Sequence, residues 1–215
     1  MKDEALLRRY LDSVQLKEEQ RTGWQLRGIA EPESVADHSW GTAYLCLLFA
    51  SLSGVDHCRA VEMAVVHDLA EARTGDVATR VAEMDDPDVR RAKRERESEA
   101  MDALLADVEG AVVRELWEEY EAAASETARF VRDMNMIDMC TQAFRYERDR
   151  RYDEESTRDQ FEGWTRMEEF FATTEPRIGT ATGRRLFEIV RGWYDSLPAT
   201  GATGGDQSPG DGATP

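Results

Sequence analysis

The sequence predicts an all-α fold, and three observations carry that prediction. Apolar residues recur at helical spacing through most of residues 3–195. Cap and stop residues divide that stretch into segments of helical length. Strand-like alternation is absent from the sequence. With 215 residues and 41% apolar content, the chain is long enough to bury one sizeable core. The expected organisation is one helical domain over residues 1–197 followed by a tail over 198–215.

The elements follow in order. Ala5, Leu6, Leu7, Tyr10 and Leu11 make one apolar face of a first helix. Residues 17–33 contain Gly23, Gly28 and Pro32 and read as an irregular connection. Pro32-Glu33-Ser34 opens an apolar helix through Leu52, ended by Gly54. Asp56 caps a helix expected to run unbroken through Glu71, with Gly75-Asp76 as its stop. Asp86-Pro87-Asp88 starts a charged helix to about Ala106. Further helices are expected near 110–123, 126–149, 157–172 and 178–195. The tail PATGATGGDQSPGDGATP has no apolar content to offset its ordering entropy, so disorder is expected there.

Charge and composition exclude several classes of function. A formal net charge of −17 argues against a nucleic-acid polymer as partner, because phosphate backbones need a basic face. A single nucleotide is still allowed, since one metal ion and one or two arginines suffice locally. No apolar run reaches the roughly 18 residues of a membrane span, and the start MKDEALLRRYLDS is no export signal. Cys46, Cys58 and Cys140 are few and scattered, which suits free thiols in a reducing cytoplasm. Lysine is confined to Lys2, Lys17 and Lys93, while arginine is abundant. Acid excess with little lysine suits a salt-rich cytoplasm; codon bias in a GC-rich genome is the competing explanation.

Histidine is scarce, which makes its placement informative. His57 follows a cap residue and reads as surface. His67 and Asp68 sit together inside the apolar run MAVVHDLAEA. An ionised carboxylate crossing a core unpaired would cost several kcal/mol, and a metal ion removes that conflict. Glu71 lies three and four residues beyond this pair, the spacings that share a helical face. Asp76 follows a glycine turn that can fold it back toward the same mouth. His38 sits in the helix ESVADHSWGTAYLCLLF, and Asp138 interrupts the apolar stripe Met134, Ile137, Thr141, Phe144. Two imidazoles and two carboxylates form a mixed N/O set suited to Mn, Fe, Co, Ni or Mg. Taken singly, each residue has a plainer reading as an ion pair or a surface charge. Their occurrence in order along apolar helices favours a site.

The order His … His-Asp … Asp resembles the HD superfamily of metal phosphohydrolases. The segments RTGWQLRGIAEPESVADHSW, AVVHDLAEARTGDVAT, ELWEEYEA and FVRDMNMIDMCTQAFRYE resemble its HD-domain 5′-deoxynucleotidase branch, over roughly residues 5–172. The resemblance implies an all-α HD-domain helical bundle, often dimeric, that hydrolyses deoxynucleoside 5′-monophosphates with one divalent metal per chain. It implies His38, His67, Asp68 and Asp138 as metal ligands, and Glu71 and Asp76 as the acids nearest water and phosphate. Trp24 would stand near the sugar. Some members carry a phosphate-binding arginine directly before this tryptophan. Gly23 stands there in this chain, so Arg21 or Arg27 must take the role. A homodimer is expected through the aromatic helices bearing Phe161, Trp164, Phe170, Phe171, Phe187, Trp193 and Tyr194, unless those rings pack on their own core. Alternatives to the monophosphatase are an HD hydrolase of a triphosphate or cyclic nucleotide, a non-catalytic nucleotide binder, and a plain helical module.

Overall fold

The structure is a computed structural model. It describes residues 2–78, 86–106, 111–151, 164 and 167–198. The expected tail from residue 199, Phe161, and parts of the segment between 77 and 110 lie outside the described residues.

Ten α-helices are described: α1 (Lys2–Ser13), α2 (Thr22–Leu26), α3 (Val35–Phe49), α4 (His57–Val66), α5 (Glu71–Thr74), α6 (Pro87–Leu104), α7 (Ala111–Ala122), α8 (Glu126–Arg148), α9 (Glu168–Thr174) and α10 (Ala181–Asp195). Among the described residues there is no strand, only one isolated antiparallel bridge between Gln20 and Ser34. No helix there is long and apolar enough to cross a membrane.

Ser34 and Asp56, which the sequence marks as helix openings, both cap helices in the structure. Ser34 and Asp37 form a reciprocal capping box at the start of α3, which sets His38 in its first turn. Asp56 accepts from the Arg59 amide to open α4. Ser125 accepts from the Ala128 amide at the start of α8. Gly54 ends the α3 region with φ +74°, a conformation that favours glycine.

The central element is α8, which packs against α3, α4, α7, α9 and α10. Its buried Met134, Ile137 and Ala143 join Met63 of α4 and Phe187 of α10 in the main core. A smaller cluster of Ala70, Ala100, Met101, Leu104 and Trp117 ties α6 and α7 to the α4–α5 junction. Asp133, buried in α8, accepts the Gly179 and Thr180 amides and so anchors the entry to α10.

Three local expectations differ from the structure. The helix from His57 does not run unbroken to Glu71. It leaves α geometry after Val66 and re-forms at Glu71, and bonds such as Leu69 N–H to Val66 O and Glu71 N–H to Asp68 O span only three residues. The His67-Asp68 pair therefore sits on a tightened turn. Secondly, the connection 17–33 contains the short helix α2. Thirdly, the described aromatics assigned to an interface mostly pack inward: Phe170, Phe171, Phe187 and Tyr194 are buried, and Trp193 is half exposed. One exposed apolar row lies along α3 and the turn after it, with Trp40, Tyr44, Leu47, Leu48 and Leu52, and another along α1, with Leu6, Leu7, Tyr10 and Leu11.

Candidate metal centre

His38 and His67 reach the same point from different elements, and each ring is anchored on its outer nitrogen. His67 Nδ1 stands 2.7 Å from the Ala64 carbonyl oxygen, which can only accept, so Nδ1 carries the proton. His38 Nδ1 stands 2.7 Å from Asp138 Oδ2, which fixes that ring in the same tautomer. Both Nε2 atoms then present lone pairs inward. They lie 3.7 Å (His38) and 3.1 Å (His67) from Asp68 Oδ2. Both are buried without a hydrogen-bond partner. Two imidazole lone pairs and a carboxylate oxygen, all acceptors, thus converge with ligand atoms within 4.8 Å of one another. Acceptors do not gather in a buried site unless a cation or protons satisfy them. The donor set fits a divalent ion with mixed N/O preference.

Asp138 belongs to a different grouping. Its oxygen bonds the outer nitrogen of His38, and its ligand atom groups with Glu33 and His38, not with His67 and Asp68. It lines a cavity of about 390 Å³ that also touches Glu33, Trp40 and Arg145. The structure therefore joins His38, His67 and Asp68 directly, with Asp138 behind His38. A third grouping, Asp56, His57 and Cys58, is exposed.

The charged neighbours come from three segments. Arg21 Nη1 lies 3.4 Å from Asp68 Oδ2 and 3.8 Å from Asp76 Oδ1. Asp76 receives the Thr22 amide, its own carbonyl accepts from Thr22 Oγ1, and its amide donates to Glu19. It thus ties the Gly75 turn to the start of α2 and holds Arg21 in place. Glu71 is buried, with Oε2 lacking a partner. Burial, then Asp68 and Asp76, raise its pKa, against Arg21 and Lys93. Asp68 moves the other way in the metal-free protein: burial opposes its charge, but His67 and His38 when protonated, together with Arg21, outweigh that and hold it below the carboxylate range.

Trp24 and Arg27 lie outside this cluster. Trp24 is 1% exposed, its ring against Phe170 and Tyr146 and its Nε1–H donating to Glu33. Arg27 is buried toward α9, donating to the Trp164 carbonyl and the Glu169 carboxylate. Of the two arginines left open by the sequence, Arg21 is the one at the acids. Sequence reasoning missed Glu33, whose pKa burial and Asp138 raise to about 7. It also missed Tyr120, whose ring meets His67 edge-on at 5.2 Å. The segment ELWEEYEA carried a signal for Tyr120; nothing in the spacing marked Glu33.

Known proteins resemble this chain over most of its length. The HD domain family model matches residues 13–174. A 5′-deoxynucleotidase HDDC2 of Danio rerio is 36% identical over 168 residues, covering 76% of this chain and 75% of that protein. The 5′-deoxynucleotidase hdd1 of Schizosaccharomyces pombe is 35% identical over 148 residues, covering 65% and 71%. Among solved structures, a Pyrococcus horikoshii OT3 protein superposes with TM-score 0.65 at 28% identity, covering 88% of this chain and 98% of that one. That family model spans most of the chain, and the chain belongs to the HD domain family.

Proposed function

We propose that the chain is a metal-dependent phosphohydrolase that removes the 5′-phosphate from deoxynucleoside monophosphates. One observation carries the chemistry: two buried imidazoles with anchored Nδ1 atoms aim unpartnered Nε2 atoms at one oxygen of Asp68. The substrate class is supported by relatives that bear the name 5′-deoxynucleotidase in fish and fission yeast.

In this reading His38, His67 and Asp68 hold one divalent ion, with Mn, Co, Fe, Ni and Mg as candidates. Asp138 completes the site from behind by fixing the His38 ring. A bound divalent ion acidifies water and neutralises charge on phosphate oxygens. Arg21 binds non-bridging oxygens of the phosphate, and Asp76 keeps its guanidinium aimed. Glu71, protonated in the metal-free protein, would be ionised beside a bound cation, and it would then orient the attacking water and take its proton. The products are a nucleoside and inorganic phosphate. Trp24 supports the site through Glu33 and the α9 core. The working unit is the helical domain 1–197, with the tail 198–215 as an appendage.

Phosphate release from deoxy- and ribonucleoside monophosphates, triphosphates and cyclic nucleotides, each with several divalent metals, tests the reading. Turnover of deoxynucleoside monophosphates above the others is expected. Turnover of triphosphates or cyclic nucleotides alone would move the chain to another phosphohydrolase class. Nucleotide binding without any release would make it a sensor.

A homodimer is part of the same proposal. The α3 row of Trp40, Tyr44, Leu47, Leu48 and Leu52 is an exposed apolar surface that a second copy would cover, with Trp40 and Tyr44 stacked at 5.5 Å. Sedimentation at micromolar concentration in high salt checks it; a monomer rejects it.

A further inference from the structure

The cavity behind His38 measures about 390 Å³, within the range of about 300–1,000 Å³ typical of small-molecule sites. Its wall combines the carboxylates of Glu33 and Asp138, the indole of Trp40, the ring of Tyr146 and the polar pair Gln142 and Arg145. Arg145 Nη1 donates to Gln142 Oε1 at 3.0 Å. Aromatic surface mixed with carboxylate acceptors, an amide and a guanidinium suits a nucleoside, which joins a flat base to a hydroxylated sugar.

Two links tie this cavity to the metal centre. The first runs through His38, whose Nδ1 meets Asp138 at 2.7 Å on the cavity side while Nε2 faces Asp68. The second runs through the backbone. Residues 19–21 and 33–35 lie antiparallel: the Arg21 amide donates to the Glu33 carbonyl at 3.1 Å, and the Val35 amide to the Glu19 carbonyl at 2.8 Å. Arg21 sends its side chain to Asp68 and Asp76, while its bonded neighbour Glu33 lines the cavity.

Glu33 is held firmly in place. Trp24 Nε1–H donates to its Oε1 at 2.9 Å, and the Glu33 amide donates to Tyr146 Oη at 2.9 Å. Among the described residues no hydrogen bond reaches Glu33 Oε2. In a deoxynucleoside 5′-monophosphate the 2′-carbon bears no hydroxyl and the 5′-oxygen bears the phosphate. The 3′-hydroxyl is therefore the one donor its sugar can offer.

We infer that the cavity takes the nucleoside half of the substrate and that Glu33 Oε2 accepts the hydrogen bond of the 3′-hydroxyl. This rests on the phosphohydrolase reading above. Trp24 is then a positioning residue, acting on the sugar through Glu33. A site built to bond a hydroxyl rejects an analogue lacking it, because its own polar group is left unpaired.

The test compares a deoxynucleoside 5′-monophosphate with its 2′,3′-dideoxy analogue on the full-length, metal-loaded protein. The wild type should show a KM about ten- to hundredfold lower for the first, the scale of one hydrogen bond to a charged group. Glu33→Gln keeps an acceptor for Trp24, and Glu33→Met removes the polar group. Both should erase most of the preference by raising KM for the deoxynucleotide, with metal content and the analogue's KM near wild type. A wild type that treats the two substrates alike overturns the inference without any variant. So does a Glu33 variant that loses both substrates equally, which marks a structural role, or one that loses the metal, which puts Glu33 on the ion. Phosphate-free deoxynucleoside gives a second readout: it should raise the thermal midpoint of the wild type and not that of Glu33→Met, and equal rises overturn the inference. If the wild type releases no phosphate yet this rise still needs Glu33, the phosphohydrolase reading fails and the cavity assignment stands.

Discussion

Gly41 of α3 leaves the space that the Asp138 carboxylate of α8 occupies: a methyl group at residue 41 would overlap Asp138 Oδ1. That carboxylate in turn holds His38 Nδ1. A glycine in mid-helix costs about 1 kcal/mol relative to alanine, so helix propensity alone would favour replacing it. The close approach between α3 and α8 accounts for its presence.

Gly41→Ala is accordingly expected to push Asp138 off His38 and lower metal affinity about 10- to 100-fold, the usual effect of losing an orienting partner. Helix content should survive. Metal titration alongside circular dichroism checks this, and unchanged affinity would show that Asp138 does not hold the ring.

Asp138→Asn separates two roles for the same carboxylate. Asparagine keeps an acceptor oxygen for His38 Nδ1–H but removes the charge. If Asp138 only orients the imidazole, Asp138→Asn retains metal with reduced affinity, whereas Asp68→Asn, altering the acid between both Nε2 atoms, loses it. Equal, complete loss from both substitutions would put Asp138 in direct contact with the ion.

Much of this centre was legible from residue types and order. Only three histidines exist, and the two that flank apolar runs are the two that converge. Capping residues located α3 and α4 because a cap is a local chemical event. Spacing cannot say which imidazole nitrogen faces inward, so it could not separate Asp68 from Asp138. Nor could it choose between Arg21 and Arg27. That choice depends on the fold-back of Gly75-Asp76 onto the start of α2, a contact across more than fifty residues. The tightened turn at His67–Ala70 was hidden because its side chains keep an apolar pattern.

Glu71→Gln should reduce turnover about 100- to 10,000-fold, the usual contribution of an acid–base group, while metal binding and fold persist. The same change should stabilise the metal-free protein at alkaline pH. Burial and neighbouring Asp68 and Asp76 raise the Glu71 pKa in the folded state. Between the ordinary carboxyl value and that raised value, the folded state holds a proton that the unfolded state has released. Stability therefore falls as pH rises through this window. Glutamine cannot ionise and is spared that loss. Thermal melts from pH 5 to pH 9 in chelator check it, and parallel curves for the two proteins would reject the burial argument.

Thiol chemistry should single out Cys58. It is exposed at the start of α4, whereas Cys46 and Cys140 are buried, and burial pushes both thiols up to about 12. Reactivity follows the thiolate and its access. The native protein at pH 8 should therefore show one rapid equivalent with a thiol reagent, and all three after denaturation. Rapid labelling of Cys140 would mean that α8 opens readily.

Salt should stabilise the protein beyond ordinary strength. The net charge of −17 produces self-repulsion that opposes a compact state. The Debye length is about 30 Å at 0.01 M and about 3 Å at 1 M, so salt removes repulsion that would otherwise act across the whole domain. Screening also weakens favourable pairs, but those at the surface of α6, such as Arg91 with Asp88 and Glu95, are exposed and contribute little. The buried attractions at the metal centre, Arg21 with Asp68 and Asp76, are screened much less. Salt thus removes more repulsion than attraction, and the thermal midpoint should climb from about 0.2 M to about 2 M KCl if the acidity is an adaptation to a salt-rich cytoplasm. Codon bias without such adaptation predicts a midpoint that levels off once screening is complete. A KCl series on the metal-loaded protein distinguishes them, and a flat or falling curve across that range leaves the acidity to codon usage.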